Sequence, residues 1–100
     1  MTEQDLTDAF QLALREPELQ KMLPELPSFR PQTASESRIL VAEENMVSGL
    51  PLRGTEANDP CTRHRCMQLF FKRGKDYFSE ASVIVDLSAK RVYVERKRPR

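Results

Sequence analysis

A chain of 100 residues, 39% of them hydrophobic and 31% charged with only 3 Gly, has the size and balance of one soluble globular domain with a modest core, which excludes collagen-like and disordered architectures. Its longest apolar runs, Ile39 to Ala42 and Val83 to Val85, fall far short of the roughly 20 residues that span a bilayer, so no membrane insertion is expected. The formal charge of +1 hides a polarity: residues 1–61 hold 5 basic against 11 acidic side chains, and residues 62–100 hold 11 against 4. Such halves can grip an outside polyanion or face one another within the fold, and the second is the expectation adopted.

In chain order, Thr2 and Asp5 suggest a capping box, and Leu6, Ala9, Phe10, Ala13 and Leu14 recur at the spacing of one helical face. Pro17, flanked by Glu16 and Glu18, suits the first turn of a short second helix carrying Leu19, Met22 and Leu23, which Pro24 stops. Residues 24–36, with Pro24, Pro27 and Pro31, read as an extended surface connector pinned to the core by Leu26 and Phe29. A first strand is predicted over Ser37 to Val47, followed by an irregular loop over 48–64 rich in Gly and Pro. Arg65 to Lys72 alternates, with Met67, Leu69 and Phe71 on one face, and Gly74 marks a turn. Tyr77 to Leu87 continues with Ala81, Val83, Val85 and Leu87 inward. Ser88-Ala89-Lys90 then turns the chain into Arg91 to Arg96, with Val92 and Val94 inward, before a basic tail over 96–100. The last three strands make an antiparallel meander.

These elements predict a single α+β domain over residues 1–100, with an N-terminal helical pair on one face of an antiparallel sheet of about four strands. The opposite face is expected to show Gln68, Lys72, Glu80, Ser82, Asp86, Arg91, Tyr93 and Glu95 to water.

The cluster with chemical content runs from Pro60 to Cys66 and gathers Cys61, His64 and Cys66. Two thiolates and an imidazole suit zinc or copper, with Asp59, water or another chain as a fourth ligand. A Cys61–Cys66 disulfide closing a small loop is the second reading, with Arg63, His64 and Arg65 lowering the thiol pKa values, and two reduced packing cysteines are the third. The Cys-x4-Cys spacing differs from the Cys-x2-Cys of redox motifs. No Gly-x-Ser-x-Gly elbow presents a serine to His64, the acids Glu43, Glu44, Asp76 and Asp86 receive no acid/base role, and Gly49, Gly54 and Gly74 are too scattered to cradle phosphate. Lys72, Arg73, Lys75, Arg96, Lys97 and Arg98 could contact phosphates, with Phe70, Tyr77 and Tyr93 to stack bases, but the strand Gln68 to Lys72 lacks the pattern of an RNA-recognition strand. The N-terminus lacks the basic start and apolar centre of a signal peptide, which reads as a cytoplasmic chain or as the mature part of an exported precursor.

Leu6 to Leu14 and the hairpin Val83-Ile84-Val85-Asp86-Leu87-Ser88-Ala89-Lys90-Arg91-Val92-Tyr93-Val94 resemble the small N-terminal domains of copper amine oxidases and a scattered set of bacterial proteins similar to them. The resemblance spans about two thirds of the chain and implies a cystatin-like helix-on-sheet form. It also implies an accessory, non-catalytic module. The copper ligands and modified tyrosine of that family lie in another domain, so no catalytic residue carries over. The expected function is therefore a non-enzymatic domain that binds a protein partner; the alternatives are a zinc, copper or redox-responsive domain using Cys61, His64 and Cys66, and nucleic-acid binding through the basic half.

Overall fold

The computed structural model describes residues 3–32, 45–54 and 58–96. Helix α1 (Glu3–Leu14) forms where the apolar spacing predicts it, and Leu6, Ala9, Phe10 and Ala13 are all buried along one stripe. Glu3 and Asp5 in its first turn complement the positive end of the helix dipole, while Thr2 lies outside the described residues. Helix α2 (Pro17–Met22) opens on Pro17, whose missing N–H costs nothing at that position. The Gln20 side-chain amide donates to the Leu14 carbonyl at 2.6 Å, fixing the angle between the two helices. α1 is the helix that crosses the sheet; α2 packs on α1 and contributes Leu19 and Leu23 to the core.

The connector is more regular than its prolines suggest. Leu26–Ser28 form a 3-10 turn, and Arg30–Pro31 form a two-residue strand, β1. Leu26 and Phe29 pin this segment as expected, at 0% and 4% exposure. Residues 33–44, which hold the end of the connector and most of the strand expected over Ser37 to Val47, lie outside the described residues.

The irregular loop expected over 48–64 is corrected by the structure, because strand β2 spans Met46–Leu52 and takes in Gly49 and Pro51. Physical reasons for both residues are visible. Val47 accepts from the Gln32 N–H and Asn45 from the Arg30 N–H, so odd-numbered residues of β2 aim their backbone polar groups away from β3, and the N–H that Pro51 lacks would point out of the sheet. A Cβ on Gly49 would lie 2.8 Å from Met67 Cγ and 3.2 Å from Leu6 Cδ1, so glycine lets α1 and β3 close on β2.

Strand β3 (Cys66–Arg73) keeps the predicted alternation, with Met67, Leu69 and Phe71 buried toward α1. Gly74 turns the chain at φ 59° into β4 (Asp76–Tyr77), and β5 (Ala81–Asp86) and β6 (Arg91–Arg96) follow. The single strand expected over Tyr77 to Leu87 is thus interrupted. Tyr77 pairs with Lys72 and Val83 with Leu69, so six residues of the return limb span three of β3, and the surplus lets Phe78 turn into the core. There Phe78, Phe29 and Phe10 surround Phe71, with ring centroids 6.4, 5.3 and 6.4 Å away.

The result is an α+β fold with a sheet in the order β1-β2-β3-β5-β6, β4 pairing with β3, in which, among the described residues, only the β1–β2 contact is parallel. Its helix-covered face carries the core. The other face carries no helix among the described residues, and the segment after β2 folds over one end of it.

Candidate functional site

That segment is the cysteine cluster. Asp59 caps a 3-10 turn over Pro60–Thr62 by accepting the Cys61 N–H at 2.9 Å, and Cys61 is joined to Cys66 in a disulfide at the start of β3. Of the three readings of the cysteines, the structure takes the disulfide. Cys66 points to the helix-free face of the sheet, yet only 1% of it is exposed, because the loop it closes lies on top of it.

The same covering explains the largest departure from expectation. Asp86, paired with Cys66 across β3 and β5, belongs by alternation to the face predicted to be solvated, and it is instead wholly buried at 0%. His64, with its side chain 41% exposed, lies over it and places Nδ1 at 2.6 Å from Asp86 Oδ2. The other carboxylate oxygen accepts the Ala89 N–H at 3.0 Å in the turn leading to β6. Burial pushes the Asp86 carboxyl up, but the His64 hydrogen bond, the Ala89 and Ser88 backbone N–H groups and the imidazole's charge outweigh it and hold the group below the usual carboxylate range. Asp86 is therefore ionised at neutral pH and accepts, which assigns the proton to Nδ1 of His64 and turns Nε2 outward. Arg65 completes the attachment: its N–H donates to Ser88 Oγ at 2.9 Å, its carbonyl accepts the Leu87 N–H at 2.7 Å, and its guanidinium pairs with Asp5 of α1.

The loop is thus closed by a covalent bond and clamped through His64 and Arg65 to the β5–β6 turn. It separates two pockets. One, of about 410 Å³, is bordered by Arg53, Arg63, His64 and Arg65, and among the described residues Arg63 has no ion pair. The other, of about 350 Å³, opens onto the helix-free face between Asp59, Cys61, Leu52, Ile84, Tyr93 and Glu95. This face is less polar than expected. Besides Gln68, Lys72, Ser82, Tyr93 and Glu95 it carries Leu50, which is 59% exposed, and the half-buried Leu52, Phe70 and Ile84. Leu50, Gln68, Ile84 and Tyr93 stand opposite one another across β2, β3, β5 and β6.

The residues named as phosphate contacts behave differently. Arg73 lies between Glu25 at 3.0 Å and Glu80 at 3.7 Å and over the Phe78 ring at 5.8 Å, and Arg96 pairs with Glu18 at 3.1 Å. The Glu25 carboxyl is held below its usual range by its own backbone N–H and by Arg73. Lys72 and Lys75 flank the Gly74 turn, and Lys97 and Arg98 lie outside the described residues. Asp5, Glu18 and Glu25 all come from the acidic first part of the chain and Arg65, Arg73 and Arg96 from the basic second part, so the charge polarity is spent in part within the fold. None of the described residues form a cluster of three or more His, Cys, Asp or Glu side chains able to hold a metal ion, and no helix is long and apolar enough to cross a membrane.

Asp86 is the residue that sequence reasoning missed. Its signal would have been an acid in a strand end next to Ser88, but nothing in a linear pattern says that a histidine 22 positions earlier will cover it. No family model, curated protein or solved structure matches the chain.

Proposed function

We propose that this chain is a non-catalytic interaction domain that binds a protein partner through the helix-free face of its sheet. The observation that carries the reading is the apolar group on that face, where Leu50, Leu52, Phe70, Ile84 and Tyr93 lie around Gln68 on four strands without a covering helix among the described residues. We read the architecture as a helical pair supporting four long strands, with the clamped loop as a rigid rim. A rim fixed before binding lowers the ordering cost of association. The polar groups around His64 are consumed in holding the loop: Asp86 by His64 and Ala89, Ser88 by Arg65, and both cysteines by each other. That supports binding over catalysis, and it agrees with the accessory role implied by the resemblance to the small N-terminal domains of copper amine oxidases.

The test is site-specific cross-linking. A photoreactive phenylalanine analogue at Phe70 should give a discrete adduct with one protein in extract of the native cells, absent when the analogue stands at Gln11 on α1 and lost on Ile84→Glu. Equal adducts from both positions would refute the reading.

One observation favours a second reading, zinc or copper binding by the reduced chain. A carboxylate on Nδ1 with Nε2 turned outward is how metal-ligating histidines are commonly oriented, and reduction would release Cys61 and Cys66 as thiolates. Native mass spectrometry of the reduced protein with added zinc tests it, and an unmetallated spectrum excludes it.

A further inference from the structure

The pocket between the loop and the open face has a chemistry of its own. Its strand side is Leu52, Ile84 and Tyr93, its loop side is Asn58 to Cys61, and Glu95 stands at its β6 end. Both charged side chains that line it are carboxylates. Among the described residues Glu95 makes no ion pair, and Asp59 spends one oxygen on the Cys61 N–H with no hydrogen-bond partner on the other. An apolar floor, one aromatic ring and two carboxylates in a space of about 350 Å³ match a long side chain with a cationic end.

We propose that this pocket receives an arginine side chain of the protein partner, an inference that rests on the open face being the binding surface. The alkyl stem lies along Leu52 and Ile84, the guanidinium plane stacks on the Tyr93 ring, and its N–H groups donate to Asp59 and Glu95. Arginine fits better than lysine because its planar fork can serve a ring face and two carboxylates together. The wall is set in advance by the Asp59 cap and the disulfide, so the pocket does not have to be assembled on binding. On the other side of the same loop the lining is basic, with Arg53 and Arg63, and this asymmetry orients the partner: its cationic anchor faces Glu95 and not the arginine side.

The probe is Nα-acetyl-arginine methylamide, titrated into the full chain and followed by amide chemical shifts, with the neutral isostere Nα-acetyl-citrulline methylamide as control. The expected result is saturable shifts centred on Leu52, Ile84 and Tyr93 with a dissociation constant on the order of millimolar. Citrulline should bind at least about fivefold more weakly, and Glu95→Gln should weaken arginine about threefold, as expected for a partly exposed ion pair. Asp59→Asn, which keeps an oxygen for the Cys61 N–H, should act in the same direction. Equal binding of citrulline, shifts centred elsewhere, or no shifts up to about 50 mM, far above the millimolar range expected of such a contact, would overturn the proposal. Because this titration needs no partner, its failure leaves the cross-link at Phe70 standing, and failure of the cross-link leaves the titration interpretable.

Discussion

Removing the buried carboxylate by Asp86→Ala tests whether the loop is held to the sheet as described. The hydrogen bonds from His64 at 2.6 Å and Ala89 at 3.0 Å are lost, together with the weaker interaction with the Ser88 backbone N–H. Bonds to a charged group are each worth about 1.5–3 kcal/mol. Part of that is recovered, since His64 and Ala89 both border water and can rehydrate, and since the variant no longer desolvates a carboxylate. The net loss should be about 2–3 kcal/mol, which in a domain of this size lowers Tm by roughly 8–24 °C. Thermal unfolding followed by far-UV circular dichroism at pH 7 measures it. The folded carboxyl titrates below its ordinary value of 3.8, so its contribution is complete above that value and disappears as the pH falls through the folded one. The gap between wild type and variant should therefore narrow progressively as the pH falls below 3.8. His64→Ala should lose less than Asp86→Ala, and the double variant should lose less than the sum of the two. A Tm change under about 2 °C at pH 7, well below the conversion used above, or a gap undiminished at pH 2, would refute the reasoning.

Other outcomes follow from the same geometry. Purified without reductant, the protein should take no alkylating label, and Cys61→Ser with Cys66→Ser should cost about 2 kcal/mol by the entropy of so short a loop, read from urea unfolding. Gly49→Ala should destabilise by about 1–3 kcal/mol, because the new methyl meets the buried Met67 side chain, and Met67→Ala in the same chain should relieve part of that loss in the same assay. Arg73→Ala removes contacts to Glu25, Glu80 and the Phe78 ring and should cost about 1 kcal/mol, whereas Arg96→Ala, which breaks one exposed pair, should cost less than about 0.5 kcal/mol. Raising salt to about 1 M should shrink the Arg96 effect first, since exposed charges are screened most.

Much of this fold can be read from periodicity. The stripe of Leu6, Ala9, Phe10 and Ala13, the Pro17 start of α2, the alternation of Met67, Leu69 and Phe71, and the inward Val83 and Val85 all follow from one buried face per element. The pinning of Leu26 and Phe29 follows from the same rule. What periodicity cannot show is where the chain departs from it for a neighbour's sake. Gly49 and Pro51 read as loop residues, and the strand's position at a margin that no described residue pairs beyond Val47, with the approach of Met67 and Leu6, makes them strand residues. Phe78 enters the core because the return limb carries extra residues, a matter of register that the alternation of Ala81 to Val85 does not reveal. In the candidate site, the sequence shows the proximity of Cys61, His64 and Cys66 but leaves the disulfide as one of three readings. Alternation places Asp86 on the outer face, and the covering loop buries it there.

The proposed function rests on a sheet with one face given to the helix and the other half apolar, rimmed by a loop that is covalently closed and clamped. Methyl-labelled protein, observed with and without the partner captured at Phe70, tests this claim most directly. The account predicts that the Leu50, Leu52 and Ile84 methyls shift on binding while Leu12 and Leu14 of α1 and the core Val83 and Val85 keep their positions. Shifts confined to Leu12 and Leu14, with Leu50, Leu52 and Ile84 unmoved, would contradict it.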